Sequence, residues 1–197
     1  MIFDRPFFHD GMRRMQDMFD GRRTAEAIEA HRKHGDFWPD EVELIGHARF
    51  FFVASASGDY VDCSIKSGDP GFVRIVAPGV LEYPEYDGNS MYRTLGNMHS
   101  NPNVGLLFVP LDGASRRIRI NGRASLHTDE AALARHHGAK VVVRIDCEIY
   151  PSCPRYLPDL QHGTPSPHVP RAGQPPPPAP EWKSRDYIRD LLPGDDP

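Results

Sequence analysis

The spacing of apolar residues changes from a helical period to a strand period at about Arg49, and periodicity is lost near Leu157. In the first part, Met12, Met15, Met18 and Phe19 recur at intervals of three and four, which predicts an amphipathic helix over Asp10–Phe19 with its methionines in the core. Thr24 is placed to cap a second helix carrying Ala25, Ile28 and His31, and a third short helix is expected at Asp40–His47. The next segment, Arg49–Ser55, reads RFFFVAS, an aromatic and β-branched run short enough for a buried strand. Ser57-Gly58-Asp59 is a hairpin turn. Beyond it Tyr60–Lys66 returns with Asp62, Ser64 and Lys66 on one face and Val61, Cys63 and Ile65 on the other. The turn Ser67-Gly68-Asp69-Pro70-Gly71 leads into a strand at Phe72–Ala77, and Pro78-Gly79 into one that ends at Tyr83.

This meander is interrupted once. After Leu81–Tyr83, a polar turn through Pro84, Asp87 and Gly88 leads to a short helix starting near Asn89 or Ser90. That helix must end at Asn101-Pro102, because proline lacks a donor and turns the residue before it away from helical backbone. A strand follows at Val104–Val109. Asp112-Gly113 then turns into Arg116–His127, where Arg117, Arg119, Asn121 and Arg123 alternate with Ile118, Ile120 and Gly122. Thr128 is expected to cap a helix at Asp129–His136. The last strand is Lys140–Tyr150, where Val141, Val143, Ile145 and Cys147 alternate with Arg144, Asp146 and Glu148. About seven strands with few helices between them predict a mainly β protein with flanking helices. Its antiparallel sheet should close, or nearly close, into a barrel, because closure removes the exposed edges of an open meander.

Proline usage marks the remaining boundary. More than half of the 20 prolines fall between Pro151 and Pro180, ending in Pro175-Pro176-Pro177-Pro178, a run that is extended polyproline and no core element. Three regions follow: a helical segment, 1–47, packed on the barrel; the barrel, 48–156; and a proline-rich tail, 157–197. In the tail, Trp182, Tyr187, Ile188, Leu191 and Leu192 suit a short helix over Glu181–Leu192 that docks on the body or on a partner subunit. With 39% hydrophobic and 25% charged residues, the chain can bury a real core. Its net charge of −4 argues against nucleic acid as the main partner. The opening MIFDRPFFHD lacks a basic segment followed by an apolar one, and no apolar run approaches the ~18 residues of a membrane span, so a cytoplasmic protein with no membrane partner is expected. Cys63, Cys147 and Cys153 are odd in number and lack the spacing of a zinc knuckle, which implies reduced thiols and no metal site.

The helix start after the polar turn carries the clearest chemistry. Ser90, Tyr92, Arg93 and Thr94 lie where free backbone N–H groups and the positive end of a helix dipole favour an anion. The alternative reading is an ordinary capped connector helix. His136 and His137 are adjacent on a helix end and point apart, so they read as a solvated helix C-terminus and not as joint metal ligands. Cys147, on the apolar face of its strand, reads as core.

Three segments in this order resemble the flavin-binding split barrel of the pyridoxamine 5'-phosphate oxidase superfamily. The first is Asp62-Cys63-Ser64-Ile65-Lys66 followed by Gly68-Asp69-Pro70-Gly71-Phe72-Val73-Arg74. The second is Tyr92-Arg93-Thr94-Leu95-Gly96-Asn97 running into Asn101-Pro102-Asn103-Val104-Gly105-Leu106-Leu107-Phe108, and the third is Arg117-Ile118-Arg119-Ile120-Asn121-Gly122-Arg123-Ala124. Together they span about residues 47–156. The closing Cys153-Pro154-Arg155-Tyr156 and the tail are similar to an uncharacterised branch of that superfamily.

The resemblance implies an antiparallel split β-barrel that forms a homodimer with FMN in the groove between subunits. An FMN site needs a phosphate clamp, donors to the pyrimidine edge and a flat wall. Lys66 and Arg93 suit the phosphate, with Asn89, Ser90 and Thr94 as neutral donors. Ser64 reaches toward the ring or ribityl chain, the backbone of Ile65 toward the isoalloxazine edge, and Tyr92 and Asn97 complete the matched helix motif. The chain departs from the family's named enzyme in three places. Thr94 stands where that enzyme has a basic residue, the flavin strand opens with Tyr60, Val61 and Asp62 where that enzyme has an arginine, and the tail replaces its substrate-binding C-terminus. The cofactor therefore carries over and the named substrate does not. The expectation is an FMN-dependent oxidoreductase acting on an unidentified small molecule, with a nicotinamide or deazaflavin redox partner and no identified catalytic residue. The alternatives are a non-catalytic flavin- or haem-binding sensor or store, and a barrel that has lost its cofactor.

Overall fold

The computed structural model describes residues 3–110, 117–152 and 170–179. Helices α1 (Asp10–Met18), α2 (Arg22–Arg32) and α3 (Pro39–His47) precede a seven-stranded antiparallel sheet. Its strands are β1 (Phe50–Ser57), β2 (Tyr60–Ser67), β3 (Arg74–Ala77), β4 (Val80–Glu85), β5 (Asn103–Phe108), β6 (Arg117–His127) and β7 (Val141–Ser152). α4 (Arg93–Ser100) lies between β4 and β5, and α5 (Glu130–Leu133) between β6 and β7. The order across the sheet is β2-β1-β5-β6-β7-β4-β3.

Strand alternation builds the core. In β1, Phe51, Val53 and Ser55 point inward and are buried, whereas Phe52 and Ala54 are exposed, so this strand is half-buried where the sequence predicted a buried one. The sheet curls until its two halves meet: the Phe51 ring lies 4.9 Å from Tyr83 of β4 and 4.9 Å from Phe108 of β5. Leu106, Ile118, Ile120, Val143, Ile145 and Ile149 fill the interior around them, and Cys147 is buried with them as expected. Each such side chain contributes roughly 1.5–3 kcal/mol of transfer free energy. β2 and β3 end the sheet without pairing to each other, which makes the barrel split. α4 packs across β1, β2 and β6, α3 packs on β3, and α2 on β7. No helix among the described residues is long and apolar enough to cross a membrane.

Several local expectations are corrected. α1 buries no residue, and Met18 is 70% exposed, because α1 packs on α2 and none of the described core residues covers its methionines. Thr24 lies inside α2, which begins at Arg22 after the uncapped Gly21. Asp129, not Thr128, caps α5 by accepting from Ala132 N at 3.0 Å. His136 is buried against Glu82, while His137 stays exposed. The helix expected from Asn89 or Ser90 starts at Arg93, because Ser90 (φ 62°) and Tyr92 (φ 49°) take left-handed backbone that no α-helix accommodates. Arg116, the Asp112-Gly113 turn, Cys153-Pro154-Arg155-Tyr156 and the Glu181–Leu192 helix lie outside the described residues. Within the tail, Arg171 forms a bidentate pair with Asp69 in the β2–β3 turn, its Nη2 donating at 2.8 Å.

Candidate functional site

A cleft of about 310 Å³ opens between β2 and the β4–α4 connection. It is lined by Ser64, Ile65, Lys66, Asn89, Ser90, Tyr92, Arg93 and Thr94, so eight of the nine residues singled out from sequence come together there. Strand alternation turns Asp62, Ser64 and Lys66 toward α4 and leaves them half-buried. The polarity of β2 is thus the reverse of an ordinary half-buried strand: Val61 and Ile65 are 68% and 58% exposed, and Cys63 is exposed beside them.

The connection from β4 is shaped by its own polar groups. Asn89 Oδ1 accepts from Met91 N at 3.0 Å, and the left-handed residues Ser90 and Tyr92 bring the chain round so that α4 starts directly over β2. Asn97, the ninth residue, faces away from the cleft. Its Nδ2 donates to Tyr60 O at 3.1 Å and to Ser55 Oγ at 3.3 Å, which fastens α4 to the β1–β2 hairpin. Asn101 does the same one turn later, donating to Ala56 O at 2.8 Å.

Two ion pairs dominate the cleft. Arg93 Nε donates to Asp62 Oδ1 at 3.2 Å, and Arg93 Nη2 to Val61 O at 3.3 Å. Asp62 Oδ2 also accepts from Thr94 Oγ1 at 2.7 Å and Ser64 Oγ at 2.8 Å. Burial alone would raise the Asp62 pKa, but the hydrogen bonds from Thr94, Ser64 and Arg93 outweigh it and hold the carboxyl below its ordinary value. On the other side of the cleft, Lys66 Nζ lies 2.7 Å from Glu85 Oε1. Burial raises the Glu85 pKa, and Lys66 only partly offsets this. Tyr86 beside it is raised as well, by burial and then by the charge of Asp69. Sequence reasoning placed Asp62 on the correct face but gave it no role, and it missed Glu85. The i, i+2 series Asp62, Ser64, Lys66 was the available signal for Asp62; Glu85 had none, because its partner is brought to it only by the curl of the sheet.

The edge of β2 adds backbone donors and acceptors. Gly68 N donates to Arg49 O at 3.0 Å, which makes that opposed pair a hydrogen-bonded one. Pair types alternate along an antiparallel ladder, and Phe52 opposes Ile65 in the non-bonded class. The N–H and C=O of Ile65 therefore point away from β1, toward the edge of β2 that no strand among the described residues pairs with, and toward the cleft.

Residues 37–149 match the family described as pyridoxamine 5'-phosphate oxidase. Similar solved structures include HupZ of Group A Streptococcus, 18% identical over 59% of this chain and 94% of that one, with a TM-score of 0.46. General Stress Protein 26 of Bacillus anthracis is 19% identical over 59% of this chain and 93% of its own, with a TM-score of 0.40. An FAD-binding protein of Mesorhizobium loti is 15% identical over 60% of this chain and 96% of its own, with a TM-score of 0.41. No curated protein matches the chain. The family match runs from Phe37 in the core through the whole sheet to Ile149 in the last strand, more than half of the sequence, and the chain belongs to the pyridoxamine 5'-phosphate oxidase family.

Proposed function

We propose that the chain binds FMN in the cleft between β2 and the start of α4 and acts as a flavin-dependent oxidoreductase on a small molecule. The observation that carries this reading is the convergence of Lys66, Arg93, Ser64 and Thr94 around one cleft that also receives the free backbone edge at Ile65. The donor set fits the group. A guanidinium, an ammonium and two hydroxyls suit a phosphate, and the N–H and C=O of Ile65 suit the pyrimidine edge of a flavin. Tyr92, Met91 and Leu95 supply the wall. Bound there, FMN supplies hydride chemistry, with a nicotinamide or deazaflavin as redox partner. The chain's own residues hold the phosphate, orient the ring and keep water from one of its faces.

A second copy of the chain covers the outer face of β1 and β2 in this reading. Phe52 and Ile65 oppose each other there with Val61 beyond them, all exposed, and the patch borders the cleft at Ile65. The free thiols Cys63 and Cys147 accord with a reducing cytoplasm. One observation favours a second reading, a barrel without its cofactor: Arg93 and Lys66 each already have a carboxylate partner.

The purified full-length chain should show flavin absorbance bands or take up added FMN at one per subunit, and light scattering should give a dimer. Arg93→Ala should weaken FMN binding by roughly 1.5–3 kcal/mol through loss of a charge-assisted bond. A colourless protein that takes up no FMN refutes the flavin reading, and unchanged affinity in Arg93→Ala moves the phosphate elsewhere.

A further inference from the structure

The anion-binding donors of the cleft already hold an anion, and the chain supplies it. Arg93 Nε, Ser64 Oγ and Thr94 Oγ1 converge on the Asp62 carboxylate at 3.2, 2.8 and 2.7 Å. That is a guanidinium and two hydroxyls arranged as they would be around a phosphate oxygen. The Asp62 side chain is 12% exposed and that of Arg93 58%, so the carboxylate lies in the floor of the cleft and the guanidinium covers it from the solvent side. The other groups near Asp62 do not relieve the crowding that a second anion would meet. Ser55 opposes it from β1, and Lys66, farther along β2, is held by Glu85. Arg93, Asp62, Lys66 and Glu85 sum to zero charge, so a phosphate that entered without moving Asp62 would meet no net positive charge and would stand beside a like-charged carboxylate.

We infer that Asp62 is a built-in occupant of the oxyanion subsite, an intramolecular competitor that a phosphate group must displace before Arg93, Ser64 and Thr94 can bind it. The inference rests on the flavin reading above for its biological ligand, but the competition itself is a property of any phosphate at these donors. Binding then has two steps: the carboxylate leaves Ser64 and Thr94, and the phosphate accepts their hydrogen bonds in its place. Affinity for the ligand is lowered by the stability of the internal contact. The cleft is correspondingly selective, because a weakly held anion cannot open it.

The test uses the full chain and two probes, inorganic phosphate and FMN, with wild type, Asp62→Asn and Asp62→Ser compared by calorimetric titration. Asparagine keeps the volume and one acceptor for the hydroxyls; serine serves if the amide variant does not fold, as judged by circular dichroism. Removing the competing charge should tighten phosphate binding by about tenfold or more, and adding Arg93→Ala to Asp62→Asn should abolish the gain. If both variants bind phosphate no tighter than wild type, or more weakly, the inference is overturned. The two readings fail separately. Tighter phosphate in Asp62→Asn with no FMN uptake by any protein sinks the flavin reading and keeps the competitor. FMN uptake by wild type with no tightening in the variants sinks the competitor and keeps the flavin. No binding of either probe sinks both.

Discussion

Glu82 is the most strongly perturbed carboxylate whose cost can be worked from geometry. It lies on β4 between Arg74 of β3 and Arg144 of β7, its neighbours in register on either side, and is fully buried. Arg135 Nε and Nη2 donate to it at 3.0 and 2.9 Å, and Arg144 Nε and Nη2 at 2.8 and 2.5 Å. Burial by itself raises the Glu82 pKa, but the arginine bonds outweigh it and bring the carboxyl from 4.5 down to about 2. That difference corresponds to about 3 kcal/mol favouring the charged folded state. The folded-state pKa lies below the unfolded one, so this stability is present in full above about pH 4.5 and is lost as pH falls toward 2. Glu82→Gln should therefore lower unfolding stability at pH 7 by about 3 kcal/mol, since a neutral amide leaves two arginines facing a poorer acceptor. Urea titrations at pH 7, 5 and 3 should show the gap between wild type and variant closing at the lowest pH. Asp62 and Asp69 are also depressed in the fold and add acid sensitivity to both proteins, so the difference between the two is the quantity that counts. Burial and the nearby Arg74 charge lower the pKa of buried His136, 3.7 Å from Glu82, and Glu82 partly opposes them, so this histidine destabilises the fold as pH drops below 6.5, more so in Glu82→Gln, and the closing of the gap is read between pH 5 and 3. A variant less than about 1 kcal/mol weaker at pH 7, or a gap that does not change with pH, refutes the account.

Two further substitutions probe the scaffold, one between β6 and β7 and one under α4. A Cβ added at Gly122 of β6 would lie 2.2 Å from Ile145 Cγ2 and 3.0 Å from Asp146 O, so Gly122→Ala should cost roughly 1–3 kcal/mol in thermal or urea unfolding; an unchanged melting temperature would show that β6 and β7 part easily. Asn97→Ala removes the donor to Tyr60 O and Ser55 Oγ and should cost roughly 1–2 kcal/mol of stability while also weakening FMN binding, since α4 carries Arg93; FMN affinity equal to wild type would show that α4 is placed by packing alone.

Strands β1 and β6 were legible because each is half-buried against the same interior, so an alternating sequence admits one register. β6 follows this closely, with Ile118 and Ile120 inside, whereas β7 places Val143 and Ile145 inside as expected but buries Val142 and Glu148 on its other face as well. What the pattern could not give was the sense of β2. Its apolar set, Val61, Cys63 and Ile65, faces outward, and its polar set faces in, because Arg93, Thr94 and Glu85 arrive from distant positions to satisfy it. Hydrophobic spacing records which residues share a face and is silent on what will stand opposite. The same limit explains α1, whose methionine row has helical spacing without a core to meet it. It also explains the partner of Arg93: Asp87 is nearer in sequence, but Asp87 lies 2.9 Å from Lys140 Nζ and Arg93 turns to Asp62 across the cleft.

The reversed polarity of β2 ties the two proposed surfaces together. A strand at the end of a sheet has an inner face, an outer face and a bare backbone edge, and in β2 each is chemically distinct. The inner face gives Asp62, Ser64 and Lys66 to the cleft, the outer face gives Val61 and Ile65 to the apolar patch, and the edge presents the N–H and C=O of Ile65. Ile65 takes part in two of these, with its backbone toward the cleft and its side chain in the patch. In the proposed assembly, a ligand paired with the Ile65 backbone would also fix the strand on which the patch is built, and a second copy seated on the Ile65 side chain would narrow the mouth of the cleft. The polar inner face is tolerable in the absence of a phosphate because Asp62 and Glu85 neutralise it from within. The carboxylates that would weaken the proposed phosphate site therefore also allow so polar a strand to fold before any ligand arrives.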